Sequence, residues 1–479
     1  MEPFFERLSA RDRLFLDLEG PDAPQHVGAL CLFEAPPLQT ADGAIDIERI
    51  RAHVAARLHL LPRTRQRLVF APVEHHPMFV DDAHFELDFH VRHAALPKPG
   101  SERQLKRMIG RLLAAPLDRE RPLWELHVIE GVAKRRVAVL GKIHHCMTDG
   151  VAGLAWLAAL LAEAPREEID APHAWRPRPA PARDELLRSE VGRRAEQWLG
   201  ALQRLPKLLE NRESLGEWAA KLSSRAAALG ETLAAALEPA PETMFNGALG
   251  SERRFDWRSI SLERVQAVRR SLGGTLNDVA LASVAGGLRR MLEQRGGDGR
   301  ERTLRAGVPV SLRTQEQLEA GGNEIAMMVV DLPVGVPDAL ERLACVREAS
   351  AAAKASHQVQ GATLLALAAE WTTSALLGPA ARALLAGRPY NLVVTNIPGP
   401  RRPLYLLGAR LLELAPAVNL VDGQGLGVAL ASYAGELCFG FIADWQLVPD
   451  LGALADGLLE SFEELEKLPI AAGDRGDVP

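Results

Sequence analysis

Two residue periodicities alternate along this 479-residue chain, and they do so on both sides of one proline- and arginine-rich stretch. Apolar residues recur at helical spacing from Ile47 to His59 and again from Glu102 to Ala114. Met78–Val80, Phe85–Phe89, Leu123–Glu130 and Arg136–Ile143 read as extended runs, and the apolar Val151–Glu163 as a buried helix. From Ala171 to Arg183 the pattern stops, and Pro172, Pro177, Pro179 and Pro181 predict an extended surface connector. Asp184–Leu237 then reads as a long helical stretch, broken at Pro206 and near Gly230. Its stripe through Val191, Trp198, Leu202 and Leu205 suits an arm packed on the body, with an interfacial membrane helix as the other reading. Beyond Asn246 the mixture resumes. Leu262–Leu272, Asn277–Gln294, Leu340–Ser356, Ala362–Leu377 and Pro449–Leu468 are helical in pattern. Ile325–Leu332, Asn391–Asn396, Leu426–Tyr433 and Glu436–Ala443 are extended, the last two joined by a two-residue loop, Ala434-Gly435. The expected architecture is α/β with mixed sheets in two halves: residues 1–175, a connector and helical arm over 176–245, and residues 246–479.

Composition narrows the function classes. An apolar share of 47% and a charged share of 25% fit a chain that buries a core. The net charge of −6 lacks the basic excess of a nucleic-acid binder, so no nucleic-acid partner is expected. Cys31, Cys146, Cys345 and Cys438 lie far apart and form no CxxC, which suits a reducing compartment. No basic segment followed by an apolar core opens the chain. The longest uncharged apolar run, Val151–Ala162, is twelve residues where a membrane span needs about 20. A cytoplasmic protein is expected, touching membrane or lipid droplets at most peripherally.

The sharpest chemical feature is His144-His145-Cys146-Met147-Thr148-Asp149-Gly150, at the end of an extended run and ahead of the apolar helix. A histidine near neutral pH can take a proton from an alcohol, and a neighbouring carboxylate can brace its loop. Adjacent histidines on extended backbone face opposite ways, so the pair does not suit one metal ion. No HExxH occurs, and His75, His76, His84, His90 and His93 lack ligand spacing. No metal is expected. Gly423–Gly427 precedes a strand rather than linking a strand to a helix, and neither GxSxG nor GxxxxGK[ST] is present.

His144–Gly150 matches the HHxxxDG motif of coenzyme-A-dependent acyltransferases and condensation domains. Further segments resemble one branch, the bacterial wax ester synthase/diacylglycerol acyltransferase family. They are Leu8–Asp12 with Phe15, Leu16, Glu19 and His26–Gly28; Pro116–Trp124 with its Pro122-Leu123-Trp124; and Leu276-Asn277-Asp278-Val279. Pro309–Arg313, Gly322-Asn323 and Thr395–Pro400 follow in family order, with Thr395 where the family more often has serine.

The resemblance implies a chloramphenicol-acetyltransferase-like fold with a substrate tunnel between its halves. It implies transfer of a long-chain acyl group from acyl-CoA, as substrate rather than cofactor, to diacylglycerol or a long-chain fatty alcohol. His145 is then the general base, with His144, Asp149 and Gly150 supporting its loop. Donors to the thioester oxyanion are sought among Asn277, Asp278, Thr395, Asn396 and a backbone amide beside Gly150. Asn277 also suits a helix N-cap, Trp124 a buried core position, and Pro398-Gly399-Pro400 a rigid turn. No cofactor is implied. The other readings are a condensation-domain-like transferase of an assembly line and a non-catalytic lipid-binding protein.

Overall fold

The computed structural model describes residues 4–147, 150–209, 239–296, 303–311, 325–355 and 387–468. Its frame is two six-stranded mixed sheets and one small three-stranded sheet.

The first large sheet grows from a hairpin. β6 (Trp124–Val132) and β7 (Arg136–His144) pair antiparallel from Trp124 opposite Ile143. Their turn places Lys134 and Arg135 in the left-handed region. β2 (His26–Glu34) runs antiparallel to β7 with His26 opposite His144, and β5 (Val91–Ala95) lies parallel to β6. Alternation along β2 and β7 sends residues to two faces. Leu30, Leu32 and Leu140 pack with Leu105 and Ile109 of helix Glu102–Ala114. Cys31, Phe33 and Val139 pack on the other side with Ile50 and Val54 of helix Ile47–Arg57 and with Trp156 and Leu157 of helix Gly150–Ala159.

The second large sheet runs in the order β10-β9-β11-β14-β15-β8. These are Ile325–Leu332, Leu304–Ser311, Leu392–Ile397, Leu426–Tyr433, Glu436–Asp444 and Arg253–Ser261. Helices Leu276–Gln294, Ala339–Ala355 and Leu451–Glu466 contribute to the same apolar cluster as its strands. β14 and β15 meet through Ala434-Gly435, both at positive φ, the backbone of a two-residue hairpin.

Chain order and sheet membership part company at β12 (Tyr405–Leu406) and β13 (Ala409–Ala417). Both fall within 246–479 yet pair in the first sheet, β13 against β2. The exchange welds the halves. At Gly440 of β15 a Cβ would stand 1.8 Å from the Pro416 carbonyl oxygen of β13, so only glycine admits this approach. Leu105, Ile109, Phe255, Trp257, Ala415 and Ile442 then share one core.

The third sheet joins β1 (Glu6–Arg7), β4 (Pro77–Asp81) and β3 (Gln66–Phe70). Two expectations are corrected. Phe85–Phe89 is not a strand: Leu87–His90 form a helical turn, with His90 stacked on Trp124 at 4.6 Å. The arm does not break at Pro206, because helix Arg183–Leu209 continues through it. The arm past residue 209 and the helix expected over Ala362–Leu377 lie outside the described residues.

Candidate active site

β7 delivers the histidine pair. His144 ends the strand, His145–Met147 form a single 3-10 turn, and Gly150 opens the following helix. The His144 N–H donates to the Leu123 carbonyl and the His145 N–H to the Gln25 carbonyl, each at 2.9 Å. Both backbones are thus fixed by the neighbouring chain before their side chains do anything.

The two rings meet different surroundings. The His145 ring, half-buried, stacks on Phe15 with centroids 3.8 Å apart and planes 10° apart. Phe15 sits on helix Ala10–Leu18, whose first turn is held by the Ser9 hydroxyl accepting from Asp12 N–H at 3.1 Å. The His144 ring is fully buried, and its Nδ1 accepts from Cys146 N–H at 3.1 Å. That bond places the ring proton on Nε2, which lies 3.4 Å from Glu19 Oε1. The separation is longer than a well-formed hydrogen bond and acts as an electrostatic contact.

Glu19 is the centre of this support. Its Oε1 accepts from Gln25 N–H at 3.1 Å and its Oε2 from Arg119 Nε at 2.8 Å. Burial would raise the carboxyl, but His144, the Gln25 amide and Arg119 outweigh it and hold it at about 2. Gln25 carries the support into the other half: its side chain donates to the Leu420 carbonyl at 3.0 Å and accepts from Asn419 Nδ2 at 2.6 Å.

Two residues before the pair, Lys142 is fully buried. Its Nζ donates to the Leu112 and Ala115 carbonyls at 3.0 and 2.6 Å, capping helix Glu102–Ala114 with positive charge. Burial lowers its pKa, against the pull of Glu125 at 3.5 Å. Burial would raise Glu125 too, yet His127, Lys142 and Arg92 hold it at about 2.

The remaining candidates sit on other elements. Asp149 lies outside the described residues. Asn277 is not the N-cap: Thr275 is, forming a capping box with Asp278. Asp278 Oδ2 accepts from the Thr275 N–H and hydroxyl, both at 2.8 Å, so that carboxylate oxygen builds the helix start and leaves Asn277 half-buried in the first turn. Thr395 and Asn396 lie on β11, opposite Ala429 and Leu430, and the next residue, Ile397, packs against the first half's core. Gly399 N–H donates to the Ser432 hydroxyl at 3.1 Å, and a Cβ there would stand 2.1 Å from the Ser432 carbonyl. Ala434 N–H donates to the Pro400 carbonyl, so Pro398-Gly399-Pro400 is laid along the end of β14. Leu123 and Pro122 are buried, and Trp124 is fully so, its Nε1–H donating to the Thr64 carbonyl at 2.8 Å. Glu19, Arg119 and Gln25 had no assigned role from the sequence. The only signal was that Glu19 and Arg119 fall inside the family-like segments.

Residues 8–280 match the wax ester synthase/diacylglycerol acyltransferase catalytic domain, and residues 321–466 match the C-terminal domain of the same proteins. The chain belongs to the wax ester synthase/diacylglycerol acyltransferase family. A probable diacylglycerol O-acyltransferase of Mycobacterium tuberculosis is 35% identical over 474 residues, covering 96% of this chain and 95% of the relative. The wax ester synthase/diacylglycerol acyltransferase from Marinobacter aquaeolei VT8 is similar in structure, with a TM-score of 0.67 and 30% identity. That match covers 96% of this chain and 98% of the other. The first condensation domain of the calcium-dependent antibiotic synthetase shares the fold at a TM-score of 0.58 and 18% identity, over 98% and 97% of the two chains. The chain is thus an acyltransferase of this family on a two-half α/β fold.

Proposed function

We propose that this acyltransferase moves a long-chain fatty acyl group from acyl-CoA to diacylglycerol or a long-chain fatty alcohol, with His145 as base and no cofactor. The observation that carries this reading is the His145 ring, held flat on Phe15 at the end of β7 while its backbone is tied to Gln25.

The chemistry balances with these groups. The His145 imidazole takes the proton of the acceptor hydroxyl, and the oxygen attacks the thioester carbonyl carbon. The tetrahedral oxyanion collapses, the C–S bond breaks, and the imidazolium returns its proton to the leaving sulfur. Ester and free CoA result. Base catalysis of this kind contributes roughly 10²–10⁴-fold, and alignment of two bound substrates supplies ~7–11 kcal/mol. His144 acts from behind: the Cys146 N–H bond to its Nδ1 fixes both the turn and the ring tautomer, and Glu19 faces its Nε2. Oxyanion donors come from Asn277, Thr395 or Asn396 in the second half or from a backbone amide beside Gly150 in the first, so the reacting carbonyl would sit between the halves, in a tunnel open to both substrates.

Among the described residues no helix is long and apolar enough to cross a membrane. Both substrates are lipids, so the protein meets a membrane or droplet surface peripherally. Palmitoyl-CoA with diolein or hexadecanol, read as thiol release and ester product, tests the reaction. Ester from either acceptor is expected. Thiol release with neither acceptor contradicts it and favours a binding protein or an assembly-line acceptor.

A further inference from the structure

Six of the seven large apolar side chains that stand exposed among the described residues come from two segments, 60–73 and 187–199. Leu60, Phe70 and Val73 belong to the first, Leu187, Val191 and Leu199 to the second. The segments touch. Glu190, buried on helix Arg183–Leu209, accepts from the Val73 and Glu74 N–H groups at 3.3 and 3.1 Å, and Leu186 packs with Ala71 and Met78. Leu186 and Glu190 are thus the docked side of the helix. Leu187 and Val191 lie about 100° further round, and Leu199 follows Val191 by about 12 Å along the axis. The helix therefore packs on the body by one stripe and leaves a second apolar stripe bare beside the tip of the β3–β4 hairpin.

The charge around this face is opposite to that of the chain. On the hairpin strand Arg67 stands 38% exposed, 4.0 Å from the buried Asp82. Helix Arg183–Leu209 has six basic residues against four acidic ones, of which Glu190 is buried, in a protein of net charge −6. Glu74 gathers Arg7 at 2.9 Å, Arg194 at 2.6 Å and Arg193 at the junction of the two segments, leaving the cluster positive. Apolar tips inside a basic rim are what an interfacial lipid contact requires.

We propose that this face, Phe70, Val73, Leu187 and Val191 with Arg7, Arg67, Arg193 and Arg194, docks the protein on a phospholipid surface carrying anionic headgroups. The proposal rests on the lipid-substrate reading above and names the surface that serves it. The hairpin links that surface to the base. Leu68 and Phe79, from the strands on either side of the tip, share a core with Leu16 and Cys146, the residues that follow Phe15 and His145. A lipid surface at the tip would therefore lie against the packed unit that carries the catalytic turn.

Cosedimentation of the full chain with vesicles tests the proposal. Binding is expected to phosphatidylcholine vesicles containing phosphatidylglycerol, to fall on phosphatidylcholine alone, and to be lost near 1 M salt, where the screening length is ~3 Å. The double substitution Val73→Asp, Val191→Asp alters positions 65% and 63% exposed, which a stable fold tolerates. It should weaken vesicle binding about tenfold or more, and slow turnover of vesicle-borne diolein. Unfolding temperature and turnover with a short soluble alcohol should stay as in the wild type. Unchanged vesicle binding in the variant, or binding indifferent to phosphatidylglycerol, overturns the proposal. So does a wild-type dimer that the variant dissociates while vesicle binding persists, since the face is then an interface between copies. Variant-sensitive vesicle binding without ester from any acceptor upholds the surface and overturns the reaction instead.

Discussion

The two large sheets are alike in size and unlike in what they bury. Around the first, His26, Glu125, His127, Lys142 and His144 are all at most 5% exposed, and each is matched by a partner or a carbonyl. In the second, Leu304, Ala306, Val330, Leu392, Val428, Leu430, Leu437, Phe439 and Phe441 are at most 1% exposed, and its buried charges, Arg253, Asp256 and Asp444, lie on the edge strand β8 and at the end of β15. Buried ionisable groups cost stability unless every lone pair and proton is met. Both halves accept that cost, and the first accepts it beside the histidine turn. The second half lends strand β13 to the first sheet, where it pairs with β2. The contrast implies that the histidine turn and the apolar core over the second sheet can be perturbed one without the other.

The largest effect is expected at the turn. His145→Ala should lower ester formation by roughly 10²–10⁴-fold while the unfolding temperature holds, read by parallel activity and thermal melts. A folded variant with near-normal turnover breaks the comparison. His144→Ala should lose less, because the second ring only fixes the turn; equal losses would merge the two roles. In the second half the pattern reverses. Leu288→Ala, at a fully buried position of helix Leu276–Gln294, should cost about 2–5 kcal/mol in denaturant unfolding and leave the pH profile of the surviving enzyme alone.

Glu19 sharpens the contrast through pH. Its folded pKa of about 2 lies below the unfolded value near 4.5, so its charged form stabilises above pH 4.5. That contribution, about 3 kcal/mol, is lost as pH falls from 4.5 towards 2. Stability measured across that range should fall less steeply in Glu19→Gln than in the wild type; identical slopes would remove Glu19 from the account. The smallest effect is expected at Thr275→Ala, which removes a capping box and should cost about 0.5–2 kcal/mol in thermal unfolding with activity retained.

Where a segment's own pattern decided its structure, the sequence was legible. Leu262–Leu272, Ile325–Leu332 and Leu426–Tyr433 are read and observed with the same bounds, because their periodicity and their burial agree. β13 escaped notice because its place depends on a partner, β2, nearly four hundred residues away, and Leu411-Leu412-Glu413-Leu414 has no clean alternation. Phe85–Phe89 misled because apolar and acidic residues alternate there, while the stacking of His90 on Trp124 favours a helical turn. The helix passes Pro206 since proline costs an interior helix one hydrogen bond and some bending rather than forbidding it. At the site, the motif disclosed His144 and His145, but no spacing rule connects Glu19 to a histidine 125 positions later. That contact exists only once β2 and β7 pair His26 with His144 and bring the end of helix Ala10–Leu18 alongside.

On the proposed mechanism His145 acts as a base on the acceptor hydroxyl, in one transfer step, and never carries the acyl group. Initial rates with palmitoyl-CoA and diolein varied together test it most directly, with mass measurement of the protein after exposure to palmitoyl-CoA alone. Direct transfer predicts intersecting reciprocal plots and an unmodified protein mass. Parallel plots with a palmitoylated protein would contradict it.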